Sequence, residues 1–346
     1  MPELISMPAP VPRRPPNPIW PIFLPGMGCP TRCIYCDQKL QTGTVVPQSL
    51  ARIYENLARD LDLAWQANRQ PFEMAFFGGT FTSLPRFWRL KLIELASGYK
   101  NKGLVTAIRC STRPDCCSKT VLSELTERGL DTVELGAQTF CSHVLRASNR
   151  GYASQTIHTA CALVRASGLR LGIQLLPGLP GHDSWKWLYD VRQTCSLKPD
   201  FVRIYPCLVL TGTPLYRLYE QGRFKPWSLN QTVLALARGF LRFWSYNVPV
   251  IRMGLPPESD LLQAVAAGPW HPALGSLVRS KVLLALIQYQ SLSLPPGPKS
   301  MQCPRSLQGD LWGYKGINRE RLLNLGLSPE RVTYSHDRSR INVCSL

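Results

Sequence analysis

Three cysteines stand close together in the stretch GMGCPTRCIYCDQ, at Cys29, Cys33 and Cys36, with C-x3-C-x2-C spacing. Thiolates at that density are soft ligands for zinc or for an iron–sulfur cluster. A structural zinc site closes with four ligands, and ferredoxin-type clusters also use four cysteines. Here no fourth cysteine follows at a matching spacing. The other nine of the twelve cysteines are scattered singly apart from Cys116-Cys117, and none forms a second C-x2-C. Three local ligands leave one metal position open, and an open position is how a metal centre binds substrate or cofactor.

Other polar residues fall where apolar runs end. Gly78, Gly79 and Thr80 follow FEMAFF, and paired glycines let a ligand approach the main chain closely. In VELGAQTF, strand alternation puts Glu134, Gly136 and Gln138 on one face, and inward-facing polar groups need a ligand or a partner. Gln174 in GIQLLPGLPG is the matching inward polar position on the next run. Arg113 and Asp115 in STRPD, and Arg203 with Tyr205 two residues apart, are candidates for the substrate side of a cavity. A salt bridge from Arg203 to Glu134 is the competing expectation. His271 in GPWHP is a candidate acid/base or substrate contact, with a plain turn residue as the alternative. GYKG at 313–316, before a basic helix-like piece, is similar to the GxxG loop that clamps RNA backbone in KH domains.

The elements that must position these residues repeat in type. Short β-like runs at 19–26, 72–79, 104–111, 131–138, 169–176 and 200–210 alternate with amphipathic stretches near 48–68, 83–99, 117–128, 141–167, 183–196 and 228–246. This string predicts an α/β fold with a parallel sheet and crossover helices, a partial (β/α)6 TIM-type barrel; a doubly wound open sheet would give a similar string. In either case functional residues belong just after the strand C-termini, where the cysteines, Gly-Gly-Thr and Ser-Thr-Arg all fall. Residues 1–18 read as a proline-rich, poorly ordered arm, 19–250 as the core and 251–346 as a small basic C-terminal extension with one helix-like piece at 318–325.

Formal net charge is +18, and Arg outnumbers Lys by 29 to 11. Such a field favours anionic partners such as RNA, because phosphate contacts release counterions and Arg adds bidentate contacts and stacking. No apolar run is long enough to span a membrane and the N-terminus has no signal-like apolar segment, so a reducing cytoplasmic location and no membrane contact are expected.

CPTRCIYC, with an aromatic before its last cysteine and a strand before the loop, resembles the signature of the radical S-adenosylmethionine (radical SAM) enzymes. The resemblance implies one 4Fe–4S cluster held by Cys29, Cys33 and Cys36, whose remaining iron chelates the amino and carboxylate groups of S-adenosylmethionine. Reductive cleavage of that cofactor would give a 5′-deoxyadenosyl radical that abstracts hydrogen from a substrate. It further implies that Tyr35 lies near the adenine and that the backbone of Gly78, Gly79 and Thr80 meets the amino group, Thr80 replacing the usual acid. Gln138 and Arg150 (in SNRGY) would approach the ribose or carboxylate, with Glu134 and Gln174 also facing the cofactor cavity.

The wider set CPTRCIYCDQ, GGTFTSLP, STRPD, ELGAQTF, LLPGLPG and IYPCLVLTGTPLYRLY looks like the Elongator-like radical SAM proteins over residues 19–285. That group includes the radical SAM half of the Elongator catalytic subunit, which modifies wobble uridine in tRNA, and uncharacterised bacterial members. The subunit has a longer gap between its first two cysteines. Its acetyltransferase domain would not fit in the roughly sixty residues after 285, so acetyl-CoA chemistry is not expected. The resemblance implies an RNA or tRNA substrate and an electron donor such as flavodoxin or ferredoxin. A small anionic substrate, as for the similar oxygen-independent coproporphyrinogen oxidase, and a non-catalytic metal-binding nucleic-acid module are the alternatives.

Overall fold

The computed structural model describes residues 3–10, 17–38, 49–255, 259–337 and 340–346. In chain order the strands are β1 (Leu4–Pro8), β2 (Ile19–Phe23), β3 (Phe72–Phe77), β4 (Val105–Thr112), β5 (Thr132–Gln138), β6 (Arg170–Leu175), β7 (Phe201–Ile204), β8 (Val209–Leu210), β9 (Val250–Met253), β10 (Val265–Ala267), β11 (Lys299–Pro304), β12 (Val332–Ser335) and β13 (Arg340–Ser345). Seven of them make one sheet in the order β2-β3-β4-β5-β6-β7-β9, with every neighbouring pair parallel. A doubly wound sheet reverses its strand order, and this one never does. Right-handed crossovers in a monotonic order carry their helices over one face, and the twisted sheet curls away from them. The result is an α/β half-barrel, as the element string predicts, with seven strands rather than six.

The seventh strand escapes the sequence pattern because VIRM is short and only half buried. Two other expectations change in detail. The run 200–210 splits: β7 stays in the barrel, while β8 turns out of it to pair antiparallel with β10. The long amphipathic stretch 141–167 becomes two helices, Ser142–Ala147 and Ser154–Ala166, separated by Asn149 and Gly151 at φ 54° and 76°. The helix foreseen at 48–68 runs Leu50–Gln66, and residue 48 lies outside the described residues. Its N-cap Ser49, like Ser118, Asp183, Thr213 and Ser228 on later helices, accepts a hydrogen bond from a backbone N–H of the first turn.

The N-terminal stretch is a correction to the poorly ordered arm. Leu4–Pro8 pairs antiparallel with β13 and joins a second sheet of order β1-β13-β11-β12. Met7 is buried in that unit's own core, beside Met301, Leu307, Leu322 and Val343. Residues 1, 2 and 11–16 of the expected arm lie outside the described residues. The C-terminal part is also more than a basic tail. The helix Leu274–Ser291 places Leu274, Val278 and Val282 in the barrel core, and Leu283, Leu284 and Ile287 in the second core. Its apolar residues thus serve two cores at once, one on each side of the helix. The expected boundary at 250 falls inside β9. Among the described residues, no helix is long and apolar enough to cross a membrane.

The helices Ser184–Leu197 and Leu229–Ser245 cross at a glycine. Trp187 donates its indole N–H to Ala235 O at 2.7 Å, and a Cβ on Gly239 would lie 2.7 Å from the indole ring. Gly239→Ala gains about 1 kcal/mol of helix propensity. Overpacking a buried ring costs about 1–3 kcal/mol, so a net loss is expected, read as a lower urea midpoint.

Candidate metal and cofactor site

The three cysteines lie in the loop that leaves β2, on the C-terminal side of the sheet. Backbone hydrogen bonds lock this loop to the end of β3. Leu24 N–H donates to Phe77 O at 2.7 Å, Gly26 N–H to Gly78 O at 2.8 Å, and Thr80 N–H to Met27 O at 2.8 Å. The two segments touch so closely that only glycine fits at the contact. A Cβ on Gly79 would lie 2.5 Å from Met27 O, and one on Gly28, itself at φ 72°, would lie 2.4 Å from Thr80 O. Thr80 also reaches the first cysteine, with its Oγ1 3.2 Å from Cys29 Sγ. The Gly-Gly-Thr segment singled out in the sequence is thus the seat of the cysteine loop.

The far side of the loop rests on the SNRGY segment. Arg150 is buried, with Nη1 3.1 Å from Cys33 Sγ and 3.5 Å from the Tyr35 hydroxyl. Its other nitrogens donate to Gly136 O and to Tyr152 OH at 3.0 and 2.7 Å. Burial opposes its charge, but Tyr35, Tyr152 and Cys33 outweigh burial and raise its pKa. Burial, reinforced by Cys33 and Cys29, pushes the Cys36 thiol up to about 12, and burial likewise raises Tyr35 against the pull of Arg150. Arg113 acts on the same assembly. It chelates Asp115 at 2.9 and 2.8 Å, donates to Thr31 Oγ1 at 2.9 Å within the cysteine loop, and donates to Arg150 O. The residues expected to line the substrate side at STRPD therefore tie the cysteine loop to SNRGY.

Inside the half-barrel, a chain of charges crosses the sheet. Glu73 on β3 takes two bonds from Arg109 on β4, one of them 2.7 Å. Arg109 Nη1 then donates to Glu134 Oε1 on β5 at 2.9 Å. Glu134 Oε2 faces Arg203 Nε at 3.1 Å and accepts from Gln174 Nε2 at 2.9 Å. Gln174 also reaches Ser111 Oγ at 3.1 Å, and Arg203 Nη1 donates to the Tyr205 hydroxyl at 3.1 Å. Burial opposes the charge on Arg203, but Tyr205, Glu134 and Glu73 more than compensate and raise its pKa. The Arg203–Glu134 salt bridge set out as the competing expectation is present, and it holds both residues.

Gln138 departs from simple alternation. A register shift between Leu135 and Gln138 and a φ of 67° fold its amide back over Gly136, where an added Cβ would meet Nε2 at 2.9 Å. His271 sits elsewhere: Nδ1 accepts from Ala273 N–H at 3.0 Å and the ring stands edge-on to Tyr314, the turn arrangement. Glu73, Arg109 and Tyr152 were missed. Glu73 in FEMAFF and Arg109 in VTAIRCST carry the same signal as Glu134, a charge alternating inward within an apolar run.

The donor chemistry fits an iron–sulfur cluster: three thiols in one loop, with a buried guanidinium against Cys33 Sγ. The sulfurs are not already gathered, since among the described residues no three His, Cys, Asp or Glu side chains converge in a metal-holding group. The radical SAM superfamily model matches residues 23–191, and the radical SAM C-terminal domain model matches residues 199–283. The chain belongs to this superfamily and is a radical SAM enzyme.

Curated relatives of the chain include a tRNA uridine acetyltransferase and Elongator complex proteins. The tRNA uridine(34) acetyltransferase of Methanocaldococcus jannaschii is 33% identical over 143 residues, 40% of this chain and 26% of that protein. Elongator complex protein 3 of Saccharomyces cerevisiae is 31% identical over 187 residues, 48% of this chain and 33% of that protein. The chain thus matches about a quarter to a third of the length of these relatives. The solved structure of archaeal Methanocaldococcus infernus Elp3 shares the fold, with a TM-score of 0.58 at 19% identity over 80% of this chain and 64% of that one.

Two outcomes are expected from this geometry. Gly28→Ala drives a Cβ into Thr80 O and strains φ, costing about 1–3 kcal/mol locally; bound iron and sulfide per chain should fall sharply while circular dichroism stays native. Glu134→Ala leaves Arg109 and Arg203 buried without their shared carboxylate. A loss of about 3–5 kcal/mol is expected in urea unfolding, and a loss below about 1 kcal/mol would mean that the four charges do not act as a unit.

Proposed function

We propose that this chain binds one 4Fe–4S cluster through Cys29, Cys33 and Cys36, binds S-adenosylmethionine beside it, and modifies RNA, with a tRNA base as the substrate. The contact that carries this reading is Arg150 against Cys33 Sγ, in a loop seated on Gly78, Gly79 and Thr80. The chemistry supplied when the two groups are bound is one-electron reductive cleavage of the sulfonium, which yields methionine and a 5′-deoxyadenosyl radical.

The protein's own residues hold and shield. Arg150 would offset the charge of the Cys33 ligand when the cluster is bound, and Tyr152 and Gly136 O fix its orientation. Tyr35, Gln138 and the strand end at Gly136 border the same space and are the proposed contacts of the cofactor's adenosyl and amino-acid parts. The lattice from Glu73 to Arg203 closes the barrel interior against water beneath it. Tyr205, just after β7 and held by Arg203 at its hydroxyl, is proposed to face the substrate. The electron comes from a flavodoxin- or ferredoxin-type donor, in a reducing cytoplasm.

RNA is favoured over a small anion by the net charge of +18 and its Arg bias, and by relatives named for tRNA uridine modification. Anaerobically reconstituted protein should cleave S-adenosylmethionine to 5′-deoxyadenosine, faster with tRNA than without it. Cys33→Ala should stay soluble with little iron and no cleavage. Cleavage by that variant would refute the ligand assignment, and cleavage indifferent to tRNA would point to a small substrate.

A further inference from the structure

The GYKG sequence ends up on a surface loop that the barrel chemistry does not use. It joins the helix Gln308–Trp312 to the helix Arg319–Asn324, within the C-terminal unit. The loop is pinned on both sides to the long helix Leu274–Ser291. Before it, Asp310 is buried and held by Arg279 at 2.6 Å and Ser276 at 2.7 Å. After it, buried Asn318 donates to Ser280 Oγ at 2.8 Å, while its own N–H donates to Trp312 O at 3.0 Å. Gly313 fits directly over that helix, where a Cβ would lie 2.6 Å from Ser280 Oγ.

What this rigid base presents is unusual for a solvent-facing turn. Tyr314, Lys315 and Ile317 are all exposed, Ile317 at 68%. His271 stands edge-on to Tyr314 and steadies the ring, and Lys315 Nζ lies 5.6 Å from the ring centre. Lys315 takes a left-handed conformation, φ 54° and ψ 27°, between two glycines that also have positive φ. Glycine would adopt that conformation without steric cost, and lysine does not. Arg319 and Arg321 are exposed just beyond, with Glu320 between them. A turn in which a lysine occupies glycine's conformation puts charge, an aromatic face and close backbone approach at one tip. Those are the properties that grip a phosphate backbone and stack a base.

We infer that the loop Gly313–Gly316, with Lys315 at its tip and Tyr314, Arg319 and Arg321 around it, is a clamp for the sugar–phosphate backbone of single-stranded RNA. It lies outside the proposed radical site and anchors a flanking part of the nucleic acid. The inference rests on the RNA reading of the function, and the test separates the two.

The experiment measures binding of an unmodified tRNA transcript to the full-length holoenzyme by fluorescence anisotropy across a salt series. It compares wild type with Lys315→Gly and Tyr314→Ala. Lys315→Gly relieves the left-handed strain while removing the charge, so its Tm should hold or rise. Its RNA affinity should fall roughly 3- to 10-fold, with the salt slope reduced by about one. Tyr314→Ala should weaken binding with no change in slope, and RNA-independent cleavage of S-adenosylmethionine should match wild type in both variants. Wild-type affinity and slope in Lys315→Gly would overturn the clamp and leave the RNA reading standing. Failure of wild type to bind the transcript would overturn both. Lysine-dependent binding to vesicles containing phosphatidylserine, with RNA binding unchanged, would assign the loop to a membrane surface and refute the inference.

Discussion

Burial of charge inside the half-barrel is the constraint around which the site is arranged. Four ionisable side chains, Glu73, Arg109, Glu134 and Arg203, are nearly removed from water on the inner faces of β3, β4, β5 and β7. No one of them could remain there alone, because the loss of hydration exceeds any single ion pair. They persist as an alternating chain, each guanidinium shared or capped, with Gln174 and Tyr205 taking up remaining valences. The chain works only if the parallel strands keep their register, since a one-residue slip would turn each charge into the apolar layer beneath the helices.

The cysteine loop depends on that registered sheet from above. Its anchors are backbone groups at strand ends: Phe77 O and Gly78 O after β3, and Gly136 O on β5 through Arg150. A flexible loop carrying three thiols would have to be ordered by its metal. Here the hydrogen bonds to the end of β3 and the bonds from Arg113 and Arg150 order much of the backbone beforehand. Arg113 is a positioning residue, since its bonds go to Thr31, Asp115 and Arg150 O.

Much of this was legible from residue types. The first five runs read from the sequence coincide with strands to within a few residues, because buried parallel strands are apolar on both faces and end at glycine or polar residues. Glu134 and Arg203 were visible as charges in apolar runs, and their pairing was foreseen as one of two alternatives. Glu73 and Arg109 carry the same mark in the apolar runs of β3 and β4. β9 and the strands of the second sheet were not legible: β9 is a half-buried strand of four residues, and β1 finds its partner more than three hundred residues away. Local pattern carries no information about a pairing of that separation.

By itself, the sequence determined the cysteine spacing, an α/β fold with a parallel sheet, and the strong positive charge. These depend on residue identity and on periodicities of a few residues. The strand order that makes the sheet a half-barrel came from the tertiary structure. Tertiary structure alone decided that Arg150 meets Cys33, that Gly79 and Gly28 are required by backbone contact, that Arg113 braces a loop, and that His271 serves a turn. It also made Leu4–Pro8, within the expected N-terminal arm, a strand of the second sheet and raised GYKG onto an anchored, exposed tip. Each of these depends on which distant segments are brought within a few ångströms, and that follows from how the whole chain packs.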